Sequence, residues 1–98
     1  MAVLMRHDRA TPRTVQEYEA YLKELAGAAR SSAGYVDGHF LKFPGYGNRY
    51  SLVVRFADAG SRQAFVRHPV YREAYGARKH LLAEAPVVEY WDELEDLP

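Results

Sequence analysis

The stretch "FVRHPVYREAYGAR" gathers most of the side chains in this chain that could move a proton or hold an anion. His68 carries an imidazole, whose reference pKa of about 6.5 makes it a proton acceptor at neutral pH. Tyr71 carries a phenol with a reference pKa near ~10, a poor base but a competent hydrogen-bond donor to a carbonyl or phenolate oxygen. Tyr75 lies one helical turn beyond Tyr71, on the same face. With Phe65 and Leu82 it also continues an apolar stripe of the kind that fills a core. Arg78 follows three residues after Tyr75, where it can project beside the phenols to hold an anionic substrate or simply reach solvent. Pro69 interrupts the run directly after His68. A proline inside a helix removes a backbone donor and clashes with the preceding turn, at a cost of roughly 3 kcal/mol. Either Pro69 opens a new helix that His68 caps, or the break aims His68 and Tyr71 at a pocket.

The elements that must position these residues are legible from periodicity. "AVLMRHD" (2–8) is an apolar run ending in charge and predicts a first strand. In "TPRTVQEYEAYLKELAGAAR", Val15, Tyr18, Leu22, Leu25 and Ala29 recur at helical spacing, and Thr14 with Glu17 has the pattern of a capping box. "YVDGHFLKF" and "NRYSLVVRF" flank "PGYG", a hairpin signature. Centred near Tyr46, the hairpin opposes Asp37 to Arg55, His39 to Val53, Leu41 to Ser51 and Phe43 to Arg49. Val36, Phe40, Tyr50, Leu52, Val54 and Phe56 then share one apolar face, and the opposed Asp37 and Arg55 support the same register. Residues 58–82 predict a second helical region, with Asp58 or Ser61 as its cap and Pro69 dividing it into a short entry turn and a longer packed piece. "PVVEYWDEL" predicts a last strand before an acidic tail. The order β-α-β-β-α-β predicts a single domain over 1–98. Its fold class is α+β and ferredoxin-like, a four-stranded antiparallel sheet with two helices on one face.

Composition narrows the function. The 98 residues hold thirteen basic and thirteen acidic side chains, so there is no electrostatic footprint for nucleic acid or an anionic membrane. No segment approaches the roughly 20 apolar residues of a membrane span, and the apolar run before Arg6 is too short for a signal peptide. A cytoplasmic protein is expected. Without cysteine there is no disulfide, thiolate nucleophile or thiolate metal site. His7, His39, His68 and His80 lack local metal-ligand spacing, so no metal is expected, and no Gly-rich cofactor fingerprint is present. Eight tyrosines, four phenylalanines and one tryptophan make the chain aromatic enough to line a cavity or an interface. Besides the second helix, Tyr50, His39 and Trp91 are candidate substrate contacts, Trp91 equally suiting a core or cavity wall. His39 falls on the more polar sheet face with Ser51 and Arg55. That face also carries Leu41, Phe43 and Val53. On the order of 350 Å² of sheet is comparable to the largest apolar patches that monomers tolerate, which predicts a homodimer.

"AGYVDGHFLKF" leading into "NRYSLVVRF", then "SRQAFVRHPVYREA" and "PVVEYWDEL", resembles the antibiotic-biosynthesis monooxygenase family and its sibling, the stress-responsive dimeric α/β-barrel family. The resemblance spans nearly the whole chain and implies a dimeric α+β barrel with a pocket between each sheet and its helices. It implies a cofactor-independent enzyme acting on an aromatic or polyketide-like small molecule, most simply a monooxygenase that deprotonates a phenol and lets the anion react with oxygen. A polyketide cyclase, lyase or isomerase on the same fold needs the same equipment. A barrel that binds a small ligand without catalysis is the reading from another class. In the sibling family a His-Pro-x-His run opens the second helix, its last histidine able to act as base. Here His68, Pro69 and Val70 match, and Tyr71 stands in place of that histidine. The resemblance therefore implies Tyr71 as donor and His68 as proton acceptor. Haem-degrading relatives use an asparagine on the first strand and a tryptophan ending the third. This chain has no asparagine on its first strand and Phe56 at the second position, which argues against haem degradation.

Overall fold

The computed structural model describes residues 1–95 and Leu97. Strand β1 (Ala2–Arg9) leads through a 3-10 turn at Pro12–Thr14 into helix α1 (Val15–Arg30). A hairpin of β2 (Tyr35–Lys42) and β3 (Arg49–Phe56) follows. Then come α2 (Ala59–Val66), α3 (Pro69–Arg72), 3-10 turns at Glu73–Tyr75 and Lys79–Leu81, and β4 (Val87–Asp92). The sheet runs β2-β3-β1-β4, every neighbouring pair antiparallel, with the helices packed on one face. This is the ferredoxin-like arrangement that the element order predicts.

The hairpin register is the one that the alternation requires. Asp37 stands opposite Arg55, His39 opposite Val53 and Leu41 opposite Ser51, and the Phe43 amide donates to the Arg49 carbonyl at 2.9 Å. The Arg55 guanidinium closes the pair on Asp37 at 2.6 Å and also reaches Glu93 at 3.0 Å. One position departs from the expected face. A bulge between Tyr35 and Asp37 turns Tyr35 toward the core and leaves Val36 exposed. Tyr18, Tyr21, Leu22, Leu25 and Ala29 of α1 pack on Leu4, Tyr50, Leu52, Val54 and Phe56 of the sheet.

Two local expectations are corrected. Thr14 stands at the N-cap of α1, but its hydroxyl donates to the Thr11 carbonyl at 3.2 Å instead of capping, because Pro12 has already started a 3-10 turn there. The piece after Pro69 is not a long packed helix. It is a single turn of α-helix followed by 3-10 turns, broken again at Gly76, whose φ of −142° and ψ of −98° lie outside the helical region. Asp58, not Ser61, caps α2, accepting from the Ser61 amide at 2.7 Å.

Two glycines give opposite expectations. Gly34 adopts φ +79°, and a β-carbon there would collide with the Ser61 side chain at the start of α2. Gly34→Ala should cost on the order of 1–3 kcal/mol. Gly27 lies inside α1 with nothing within 4 Å of its added methyl, so Gly27→Ala should stabilise by about 1 kcal/mol. Urea unfolding of both variants checks the pair of signs.

Candidate functional site

Period-two alternation along β1 sends Leu4, Arg6 and Asp8 toward the helices and Met5, His7 and Arg9 to the open face. Arg6 is fully buried and Asp8 nearly so. An unpaired charge there would be prohibitive, and the two pair at once. Arg6 Nη2 lies 2.8 Å and Nε 3.2 Å from the same oxygen, Asp8 Oδ2, and the Tyr18 hydroxyl donates to that oxygen at 2.6 Å. The guanidinium carbon sits 5.0 Å from the centre of the Tyr71 ring and 5.7 Å from that of Tyr21. Tyr21 in turn donates to the Val70 carbonyl at 2.9 Å, tying α3 to α1.

Three polar atoms in this cluster have no hydrogen-bond partner among the described residues: Arg6 Nη1, Asp8 Oδ1 and the Tyr71 hydroxyl. Two are donors and one is an acceptor, all within the layer between sheet and helices. Burial opposes the Arg6 charge, but Asp8 and Tyr21 around it hold its pKa above the ordinary arginine value. Burial first, and Tyr75 after it, push the Tyr71 phenol well above its usual range, with Arg6 working in the opposite direction. Tyr18 is raised by burial and then by the Asp8 carboxylate. Both phenols are held as donors, not bases.

Beside this cluster opens a cleft of about 610 Å³, lined by Ala74, Tyr75, His80, Leu82, Ala83 and Pro86 among others. Half-exposed Tyr75 belongs to both regions, because its ring centre lies 6.2 Å from that of Tyr71. Of the catalytic and substrate-contact candidates named from sequence, Tyr71 and Tyr75 meet here. Tyr71 is buried, packed edge-on to Phe65 at 5.3 Å. His68 caps α3: its Nδ1 accepts from the Val70 amide at 3.1 Å, so in the neutral ring Nε2 carries the proton. Arg78 lies against the Tyr21 ring at 5.3 Å and pairs with Glu24 at 3.0 Å and Glu73 at 3.1 Å. Tyr50 sits beyond Tyr18, and its hydroxyl donates to Glu19 at 2.6 Å. Burial and that carboxylate push its phenol up to about 12. His39 and Trp91 stand on the opposite face of the sheet, aligned with Val53 and Val3. The candidate residues thus divide between two faces and do not form one pocket.

Arg6, Asp8, Tyr18 and Tyr21 were not among the sequence candidates. The signal for the first two was present in the alternation Leu4-Arg6-Asp8, but charges at a strand end ordinarily mark its exit into solvent. Among the described residues, no group of three or more His, Cys, Asp or Glu is arranged to hold a metal ion, and no helix is long and apolar enough to cross a membrane.

No protein-family model matches the sequence, and neither does any curated protein. The fold, by contrast, has many solved counterparts. A protein from Deinococcus radiodurans, provisionally named an antibiotic biosynthesis monooxygenase, superposes with a TM-score of 0.89 at 15% identity, over 100% of this chain and 97% of that one. A variant of SnoaB, called a cofactor-independent oxygenase from Streptomyces nogalater, gives a TM-score of 0.82 at 14% identity, over 99% and 96%. A protein of unknown function from Nitrosomonas europaea gives 0.82 at 22% identity, over 99% and 93%. The chain therefore has the fold of proteins named as antibiotic biosynthesis monooxygenases, as the sequence resemblance implies.

Two outcomes follow from the buried cluster. Asp8→Ala strands the Arg6 cation and should cost about 3–5 kcal/mol, whereas Arg6→Met combined with Asp8→Leu removes both charges and should cost far less. Chemical denaturation of both checks this. The second outcome is alkaline. Tyr18, Tyr21 and Tyr71 have raised pKa values, so the unfolded chain releases these protons at lower pH than the native one. Their contribution is fully present below pH ~10 and is lost as pH climbs beyond it. Phenolate absorbance should show a late step that coincides with loss of circular dichroism.

Proposed function

We propose that the chain is a cofactor-independent oxygenase of aromatic, polyketide-like phenols. The observation that supports this is the burial, in one layer, of Arg6 Nη1, Asp8 Oδ1 and the Tyr71 hydroxyl without hydrogen-bond partners among the described residues, with the Tyr75 ring reaching from Tyr71 to the neighbouring cleft. A phenol entering past Tyr75 gives its proton to Asp8 Oδ1. The phenolate oxygen then accepts from the Tyr71 hydroxyl and from Arg6. Donors fixed before the reaction stabilise developing charge without reorganising, usually the largest single effect in such catalysis. Molecular oxygen adds to a hydrogen-bearing ring carbon that carries the negative charge, the peroxide takes the proton back from Asp8, and loss of water leaves a carbonyl there. Asp8, not His68, is the proton acceptor in this reading, because the cap engages the basic nitrogen of His68. The fold shared with SnoaB supports it.

One observation favours a second reading, a barrel that binds its ligand without reaction. The rings of Tyr18, Tyr21, Phe65 and Tyr71 fill the space between sheet and helices. Polycyclic phenols screened by thermal shift should raise Tm under either reading, since ligand bound to the folded state adds stability. Oxygen consumption with the best binder separates the two. Tyr71→Phe should fold normally and lose roughly 10²–10³ in turnover. Full turnover in that variant, or binding with no oxygen uptake by any ligand, sinks the oxygenase.

We also propose that the chain acts as a homodimer joined through the open sheet face, where Leu41, Phe43, Val87 and Trp91 are half-exposed. Sedimentation at micromolar concentration should give about twice the 11.2 kDa chain mass.

A further inference from the structure

We propose that Lys79 holds a carboxylate at the end of the substrate away from its reacting hydroxyl, so that the chain selects phenolic ring systems bearing one carboxylate over neutral ones. The proposal rests on the entry of a phenol past Tyr75, as read above.

The wall of that cleft is built by 3-10 geometry. Side chains three residues apart in such a turn lie one above another. Gly76, Lys79 and Leu82 have that spacing, and all three line the cleft. The Lys79 amide donates to the Gly76 carbonyl at 3.1 Å and the Leu82 amide to the Lys79 carbonyl at 3.1 Å, which fixes the repeat. Arg78 and Leu81, one place earlier, turn elsewhere. Arg78 is engaged by Glu24 and Glu73, and Leu81 is buried in the core. The chain beyond is held as well, because Leu82 bridges to Ala10 and the Ala83 amide donates to the Arg9 carbonyl at 2.7 Å. None of the residues through which the homodimer is proposed to join, Leu41, Phe43, Val87 and Trp91, lines this cleft.

The charges around the cleft single out one group. Lys79, His80 and Glu84 are its ionisable lining residues besides Tyr75. His80 Nε2 lies 3.9 Å from Glu17, and Glu84 lies 3.8 Å from Arg9. Lys79 has no ion-pair partner among the described residues. One uncompensated ammonium balances one negative charge. A phosphate would bring a second, with Glu84 repelling it, so the matching group is a carboxylate. The volume of about 610 Å³ falls within the roughly 300–1,000 Å³ of small-molecule sites. Ala74, Leu82 and Pro86 supply apolar walls for the rings, whose entry displaces water and strengthens the pairing at Lys79.

The test titrates 6-hydroxy-2-naphthoate and its methyl ester, phenols that differ in charge at the end opposite the hydroxyl, with naphthalene fluorescence as the readout. Wild type should bind the acid roughly 5–10-fold more tightly at low ionic strength, and added salt should shrink the difference. Lys79→Gln should bring the two affinities together with unchanged circular dichroism, and Lys79→Arg should keep them apart. Equal affinities in wild type overturn the proposal, as does a preference for the acid that survives in Lys79→Gln. Failure of both compounds to bind overturns it too. Oxygen uptake is measured on the same samples. Selective binding of the acid without uptake supports the role of Lys79 and counts against the oxygenase, whereas uptake with equal affinities overturns the role of Lys79 and leaves the oxygenase standing.

Discussion

A guanidinium with no solvent access lies at the centre of this fold, and much of the interior is arranged around keeping it charged. Arg6 needs an anion, which Asp8 supplies two residues further along the same face of β1. Asp8 needs further donors, and α1 brings Tyr18 to it. The flat faces of the guanidinium need partners that do not compete for its protons, and the Tyr21 and Tyr71 rings serve. Each requirement draws a different element toward the sheet. Helix α1 is held by Tyr18 and Tyr21, and α3 by Tyr71.

The same requirement accounts for the proline. A continuous helix through residues 65–75 would have kept its carbonyls within its own ladder. The break at Pro69 makes α3 a single turn, and Tyr21 donates to its Val70 carbonyl. His68 accepts the first free amide of the new turn. The helical break and the buried cation are thus joined through one tyrosine, which contacts Arg6 by its ring and Val70 by its hydroxyl.

Stability alone is a poor reason to keep such a cluster. Buried ion pairs are often matched or exceeded by apolar residues of the same volume. Each unpartnered buried polar atom costs a further ~1–3 kcal/mol. Arg6 Nη1, Asp8 Oδ1 and Tyr71 are unpartnered together, in a layer otherwise packed with rings. A core selected only for packing would have replaced them. In the proposed oxygenase reaction these free atoms are the ones that take the proton and hold the phenolate.

The limits of legibility follow from the same physics. Alternation specified the β2–β3 register because both strands had to agree on an apolar face, and helical spacing specified α1. Neither kind of pattern marks a charge that points inward. "MRHDR" reads as a strand running out into water, and only the paired burial of Arg6 and Asp8 reveals its inward face. Histidine-proline drew attention to the second helix, where His68 caps α3, while His7 on the first strand meets Ser51 and Glu89. The two faces of β1 therefore carry polar groups in alternation: Arg6 and Asp8 inward, His7 outward between them. A slip of one residue in the pairing of β1 would exchange the faces, exposing the ion pair and burying His7 among the rings. The cost of burying Arg9 or His7 unpaired, together with Leu4 in the core, holds this register against that slip, and so the buried pair also fixes where His7 stands relative to Ser51.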